Sequence, residues 1–569
     1  MPISTSKFDV GRSRFGVNIF SRRITSLSRI VLIFLSLAIV FSPLLAACTG
    51  LDADHFSLAF DHVAKPLGRS VGMAAVSGLV ALVLGVPFAL LVEKSRLLFR
   101  RIFWVLGLTA LVVPPYLVAE AWIVLLGPAG KIARPLAMLL GMGPKSEDPI
   151  QLARFAVPGL VFSWPAVGIV IGGCLFPIVA LAVAGAYRRT DQRVFESARI
   201  AQGPRGVRTI LRRVLTGPAI GASLLVFAVT LTDFAVPQLL RVRAMGELIA
   251  EQIVAQDLSA AAALSLPSLP LILIAGALGV VILSRSRASS MAGLEGEVPK
   301  FTGNPASPVG NVAAGLMTLL AITPAVILPI VYLAWLMLTS PSFGVTSNSL
   351  RPSGFGDSMR WAWELLRDDA VRSVVLAAIA ATLAVVLAIA VVRSLAGSQW
   401  TWAQGVLAAG LAVPAPIIGL GLITLWNHES TAAISQTSMI VLLCWFARFL
   451  PLVVFLVQSA LARVAPELES AAALVGRSPL ERLITIVLRS AAPGLVTAWL
   501  AMYVLSAGEY GATSLIAPAG HGLLAPSVLD LMQRRQEYQI AACQLLLLLV
   551  IMLPLGLIGL PWIARRKAR

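Results

Sequence analysis

Long apolar stretches alternate with short polar ones along this chain. The apolar ones outlast any strand, and they lack the polar face of a helix on a soluble core. Segments 31–48 and 374–392 carry no charged residue. A helix of about 18 residues suffices to cross a ~30 Å hydrocarbon core. Twelve stretches of this kind can be marked, each nearly free of charge: 30–49, 69–92, 102–126, 155–187, 217–240, 262–284, 312–338, 373–392, 403–427, 437–461, 493–516 and 540–564. The pattern predicts an all-α polytopic membrane protein with about twelve transmembrane helices. The stretch 155–187 exceeds one crossing, and Pro158, Pro165 and Pro177 are expected to break it, leaving a short helix before the true span.

Composition agrees: 58% of the 569 residues are apolar and 13% charged. A soluble protein has about 45–50% and about 25%. A soluble multidomain enzyme and a disordered chain are both excluded. The net charge of +18 would suit a nucleic-acid partner, but its placement argues for topology instead. With the N-terminus inside, the segments on its side are 1–29, 93–101, 188–213, 285–311, 393–402, 462–492 and 565–569. They hold 30 of the 45 basic residues against nine acids. The remainder has fifteen basic and eighteen acidic residues. By the positive-inside rule both termini are cytoplasmic, and lipid rather than nucleic acid is the expected polyanionic neighbour.

The spans divide six and six around a Ser/Gly/Pro-bearing linker at 285–311. Arg69-Ser70-Val71 recurs as Arg372-Ser373-Val374, and Val113-Pro114 as Val413-Pro414. Glu196-Ser197-Ala198, four residues and Gly203 recur as Glu469-Ser470-Ala471, four residues and Gly476. An even number of spans per half makes the repeat parallel, with a pseudo-twofold axis along the membrane normal. The expected organisation is a basic N-terminus (1–29), a first unit (30–284, with a cytoplasmic loop at 188–216), the linker (285–311), a second unit (312–564, loop 462–492) and a tail (565–569). Each repeated loop reads as a short helix with a small-residue face, ended by a glycine at φ > 0, then an amphipathic return to the membrane.

These paired loops resemble the type I ABC importer permeases, whose signature is E-A-A, three residues, G, nine residues, I-x-L-P. Aligning Gly203 and Gly476 puts Ser197 and Ser470 at the family's Glu, with Glu196 and Glu469 one residue earlier. Arg213 falls at the Ile position, followed by Leu215 and Thr216; the second copy has Ile486, Leu488 and Arg489. The resemblance implies that Glu196, Ser197, Ala198, Gly203, Glu469, Ser470, Ala471 and Gly476 couple the chain to an ATP-binding subunit. Two copies of that ATPase, and an extracytoplasmic substrate-binding protein, are the implied partners. The strings TDFAVPQLL (232–240), GLAVPAPIIGLGLITLWN (410–427), ARFLPLVV (447–454) and GEYGATSLIAPAG (508–520) are similar to the ferric-iron permease group, some of whose members fuse two units. Thiamine, polyamine, sulfate and phosphonate permeases share parts of them. The resemblance implies a fused permease of the bacterial plasma membrane, with ferric iron as the first substrate reading.

No catalytic site is expected. Gly127-Pro128-Ala129-Gly130-Lys131 and Gly143-Pro144-Lys145-Ser146 lack the phosphate-loop spacing, so ATP and Mg²⁺ are assigned to the partner and no cofactor to this chain. The histidines (His55, His62, His428, His521) map to the outer side without ligand spacing, and no metal site is assigned. Cys174, Cys444 and Cys543 read as small apolar packers. Cys48 ends a first transmembrane helix or, after Leu45-Ala46-Ala47, is an acylated cysteine.

Charges inside the bilayer are costly and default to a functional role. Asp233 and Glu509 each lie sixteen residues into equivalent spans, counted from 217 and from 493. Arg448, near the middle of the tenth span, lies within ~6 Å of the depth of Glu509; Leu175 occupies the equivalent place in the first half. Two readings stand. Either Arg448 and Glu509 form a structural bridge while Asp233 faces water, or Asp233 and Glu509 line a translocation path. The alternative of another class is an ion-coupled secondary transporter, which has no use for two matched cytoplasmic loops. An enzyme or receptor lacks any supporting constellation.

Overall fold

Backbone inside hydrocarbon finds no water, so its polar groups must pair within the segment, and helix is how a single span does that. The computed structural model describes residues 40–42, 53–94, 100–127, 157–291, 308–339, 355–394, 407, 410–411, 413–534 and 537–559. Among these the elements are helical, with no strand. The chain is an all-α polytopic membrane protein.

The first half contains α1 (Ala53–Lys94), α2 (Arg100–Thr109), α3 (Pro115–Leu126), α4 (Trp164–Arg189), α5 (Gln192–Thr232), α6 (Met245–Val254), α7 (Leu258–Ser265) and α8 (Ser268–Met291). In the second come α9 (Pro308–Ile322), α10 (Leu328–Thr339), α11 (Phe355–Ser394), α12 (Ala415–Trp426), α13 (Met439–Leu461), α14 (Pro466–Leu474), α15 (Arg489–Ala507), α16 (Leu524–Arg534) and α17 (Glu537–Pro554). A π-helical turn at Thr323–Ile327 joins α9 to α10.

Among the described residues, eight helices are long and apolar enough to cross a membrane. The number is nine if α7 and α8, bent by 46°, form one broken span. Twelve were expected, and three stretches account for the difference from nine. The first stretch, 30–49, lies outside the described residues apart from 40–42. The third and ninth end in α3 and α12, apolar helices of 12 residues each, only ~18 Å long. Both start immediately after a Val-Pro pair. Pro114 and Pro414 serve as N-caps with φ −58° and −60°, the angle that the proline ring imposes.

The prolines of 155–187 act unequally. A short helix, Val157–Val161, precedes α4, and Pro165 sits in the first turn of α4. Pro177 lies inside α4 without ending it, as neighbouring helices permit in a membrane. At the ends of the expected linker 285–311, α8 runs on to Met291 and α9 begins at Pro308, while 292–307 lies outside the described residues. The tail and most of the N-terminus, with Cys48, lie outside them too.

Membrane helices associate through close packing of small residues, since lipid tails are as apolar as leucine. A Cβ on Gly168 would come 2.5 Å from the Met73 carbonyl oxygen, and one on Gly172 2.6 Å from that of Ser77. These two glycines let α4 lie directly on α1. In the second half the buried face of α11 is mostly alanine, including Ala377, Ala380, Ala381, Ala384 and Ala388, and it packs on α13 and α15. The halves interlock as well. Helix α9 packs on α1, α10 packs on α3 and α17, and the Trp122 indole donates to the Pro324 carbonyl at 3.1 Å.

The repeated Arg-Ser-Val has a structural duty. Ser70 Oγ accepts from the Met245 backbone N–H at 3.0 Å, and Ser373 Oγ from that of Leu524 at 2.9 Å. Each long helix thus satisfies the first N–H of a short helix, α6 or α16, with a buried hydroxyl. We expect Ser70→Ala and Ser373→Ala each to cost about 1 kcal/mol by orphaning a buried N–H. Thermal unfolding in detergent, with either single variant as stable as the parent, would remove this capping role.

Candidate functional site

Two regions hold the candidate residues: the repeated loops at the arginine-rich end, one in each half, and a cluster with residues from both halves where two helices break inside the membrane.

In the first loop Asp191 caps a helix that starts at Gln192, its carboxylate accepting from Arg193 N–H at 2.9 Å. That helix changes direction at Gly203, with φ 59° and ψ −145°. In the second loop α14 ends in a Schellman turn. Gly476, at φ 85°, donates to Ala473 O, and Arg477 N–H donates to Ala472 O, both at 3.1 Å. A Cβ at Gly203 or Gly476 would meet nothing within 4 Å, so conformation and not space demands glycine. Glu196, Ser197, Ser470 and Ala471 are exposed, and Ala198 is half-buried. Bare apolar side chains stand beside both glycines: Ile200 is 87% exposed, Leu474 89% and Val475 82%.

Each loop is pinned to the end of the long helix of its own half. Glu93, fully buried near the end of α1, accepts from Arg188 Nε at 2.9 Å and from the Trp104 indole at 2.8 Å; Arg100 binds it as well. In the second half the charges are reversed. Arg393, at the end of α11, donates to both carboxylate oxygens of Glu469, at 2.6 and 3.0 Å. The sequence reading passed over Glu93, the one acid in the basic segment 93–101. That isolation was its available signal.

The second region lies past α5 and α15. Both helices end earlier than the apolar pattern suggests, so Asp233 and Glu509 sit at breaks and not within helices. Asp233 Oδ1 accepts from Val236 N–H at 3.0 Å and so caps the turn Ala235–Leu239. Glu509 accepts from Ala512 N–H and Thr513 N–H, both at 2.9 Å, and from the Thr513 hydroxyl, capping Thr513–Ile516. Arg448 Nη1 donates to Glu509 Oε1 at 3.0 Å, and the Trp445 indole to Thr513 Oγ1 at 3.1 Å. Gly511 gives this pair room: a Cβ there would lie 3.2 Å from both Arg448 Nη1 and Glu509 Oε1.

Aromatic residues that the sequence reading did not single out follow the two acids. Phe234 and Tyr510, each next to its capping acid, stack on one another with centroids 5.5 Å apart and planes at 27°. Tyr510 donates to Gln238 Oε1 at 3.1 Å. Tyr116 of α3 donates to the Gly508 carbonyl at 3.3 Å, and its ring lies 6.2 Å from Tyr510. Glu120, buried in α3, is a further intramembrane acid inside a stretch expected to be apolar. Cys174, Cys444 and Cys543 are buried free thiols. Among the described residues no group of His, Cys, Asp and Glu could hold a metal ion.

Removing Arg448 leaves a buried carboxylate without its cation. We expect Arg448→Leu to destabilise the protein by ~3–5 kcal/mol, and Arg448→Leu/Glu509→Gln to recover part of that loss. Unfolding midpoints of the three proteins in detergent check it; equal midpoints would show that the pair contributes nothing. At the other end, the Arg393 hydrogen bonds hold the Glu469 carboxyl below the usual glutamate value. A lowered folded pKa adds stability that is present above the unfolded value and lost as pH falls through the folded one. The partly exposed pair is worth at most ~1 kcal/mol. Protection of the α14 amides from hydrogen exchange, relative to the intrinsic rate at each pH, should therefore fall below about pH 4, and Glu469→Gln should show the lower protection already at pH 7.

No family model matches the chain. It is 26% identical over 248 residues to the 2-aminoethylphosphonate transport system permease protein PhnV of Salmonella paratyphi A, covering 93% of that protein but 43% of this chain. It is 31% identical over 201 residues to the putrescine transport system permease protein PotI of Escherichia coli K12, covering 71% of that protein and 33% of this chain. These relatives are transport permeases and not enzymes, and nearly the whole of one fits within less than half of this chain. The chain belongs to the permeases of ABC-type importers.

Proposed function

We propose that this chain is a fused double permease, two units in tandem, that forms the whole translocation pathway of an ATP-driven importer in the bacterial inner membrane. The observation that carries this reading is the pair of loops. Both lie at the arginine-rich end, both contain a helix that turns at a positive-φ glycine, and both leave large apolar side chains bare beside that turn. Exposed apolar groups on a rigid, pinned helix suit a protein partner better than water. Glu196, Ser197, Ala198 and Gly203, with Glu469, Ser470, Ala471 and Gly476, are the docking elements for two copies of an ATPase subunit. The positive-inside count puts these loops and both termini in the cytoplasm, and a binding protein delivers substrate from the other side. ATP and Mg²⁺ belong to the ATPase.

Two guides point to different substrates. The strings at 232–240, 410–427, 447–454 and 508–520 suggest ferric iron. The relatives, named for 2-aminoethylphosphonate and putrescine, are similar over most of a permease length and weigh more. The proposed substrate is therefore a small charged organic solute of the polyamine or phosphonate kind.

Co-purification with an ABC ATPase, followed by binding of putrescine, 2-aminoethylphosphonate and ferric iron to the partner binding protein, tests the assignment; an iron-specific binding protein would reverse the substrate reading. Gly203→Val/Gly476→Val tests the coupling role. A β-branched residue at φ > 0 stores ~1–3 kcal/mol of strain, while every span stays untouched. We expect normal membrane insertion with uptake and substrate-stimulated ATPase activity both lost. Full activity in the double variant would refute the docking assignment.

A further inference from the structure

We propose that Phe234 and Tyr510 are the two leaves of the gate that closes the translocation path, latched by the Tyr510–Gln238 hydrogen bond; this rests on the permease reading above. The two residues occupy the same place in their halves, each directly after the acid that caps a broken helix. Equivalent positions of a parallel repeat meet only at the axis between the halves, and these two rings stack face to face there, 5.5 Å apart. A path between the halves along that axis is therefore closed by this stack.

The mounting of the rings separates fixed parts from movable ones. Behind Tyr510, Glu509 is held by the Arg448 guanidinium, two backbone N–H groups and the Thr513 hydroxyl. Behind Phe234, Asp233 holds the turn Ala235–Leu239. Around the two rings the hydrogen bonds and ring contacts between the halves are neutral: the stack, the Tyr510 hydroxyl on Gln238, and the Tyr116 hydroxyl on the Gly508 carbonyl. Neutral hydrogen bonds and aromatic pairs are far easier to break than a buried charged network. Separation of the halves would therefore part the rings and leave the caps intact. A polar latch also leaves Gln238 and two tyrosine hydroxyls facing the opened path, which suits a hydrophilic solute.

The test uses the full chain with Cys48, Cys174, Cys444 and Cys543 replaced by alanine, reconstituted with its ATPase and binding protein. Phe234→Cys/Tyr510→Cys in that background is treated with a short bismethanethiosulfonate. Cross-linking should abolish uptake, a reductant should restore it, and each single cysteine variant should keep its uptake after the same treatment. A verified cross-link with undiminished uptake overturns the gate. A second arm needs neither partner: swelling of proteoliposomes in isosmotic glycine. Tyr510→Phe loses the latch alone and should admit glycine about two- to tenfold faster than the parent, and Phe234→Leu should leak as well. Parent-like swelling in both variants also overturns the proposal. Failure of the parent to bind an ATPase would count against the permease reading instead, and the leak arm would still judge the gate.

Discussion

The breaks in this protein answer one constraint: a helix that starts inside a membrane bares backbone N–H groups where there is no water. Leaving one unpaired costs about 1–3 kcal/mol, so each break needs a built-in acceptor. At the N-termini of α6 and α16 the acceptors are serine hydroxyls from α1 and α11. Where α5 and α15 give way to single turns, they are the carboxylates of Asp233 and Glu509. A carboxylate is the stronger acceptor but is expensive to bury. Glu509 offsets that expense with Arg448 and three further donors, so the matched depth of the two acids follows from capping alone. Neither acid must touch a substrate to explain its position.

Much of this architecture could be read from the sequence, because lipid imposes a coarse and unambiguous rule on composition. The apolar stretches found helices, and three short repeats, Arg-Ser-Val, Val-Pro and Glu-Ser-Ala with its glycine, fell on equivalent capping and turning points. The ends of helices were harder. Val504, Leu505, Ser506 and Ala507 continue the apolar run of α15 into Gly508 without a break in hydropathy, so the stop before Glu509 leaves no trace in periodicity. The same holds for Thr232 before Asp233. A twelve-residue α3 looks like part of a full span because only the Val-Pro pair interrupts it. The aromatic contact was invisible for another reason: Phe234 and Tyr510 differ in identity, and nothing local says that one lies against the other.

The two halves are similar without being copies, and the differences concentrate at contacts. Asp233 faces Glu509 across the repeat, Phe234 faces Tyr510, and the anchors of the loops carry reversed charges. In the first half a buried glutamate on α1 holds Arg188, at the base of its loop. In the second an arginine on α11 holds Glu469, within α14 itself. The first anchor fixes where the loop leaves the membrane; the second fixes α14 directly. Because Glu93 is fully buried and served by two arginines and an indole, while Glu469 is partly exposed, the two loops are held with unequal firmness.

Those anchors sit at one end of helices whose other ends reach the region of the aromatic stack. From Glu93 to Ser70 along α1 is ~35 Å, and from Arg393 to Ser373 along α11 is ~30 Å, at 1.5 Å per residue. Ser70 holds the first N–H of α6, a few residues after Phe234, and Ser373 holds that of α16, after Tyr510. Each long helix therefore touches an arginine-rich-end loop at one end and the segment bearing one of the stacked rings at the other. A continuous helix transmits displacement along its length, and the small-residue faces, Gly168 and Gly172 of α4 against α1 and the alanines of α11 against α13 and α15, hold each long helix closely to partners in its own half. A rigid-body shift between the halves has instead to slide or open the contacts that join them, α9 on α1 and α10 on α3. Because that close packing ties α1 to α4 and α11 to α13 and α15, a displacement that starts at a loop is shared within its own half before it reaches the aromatic stack.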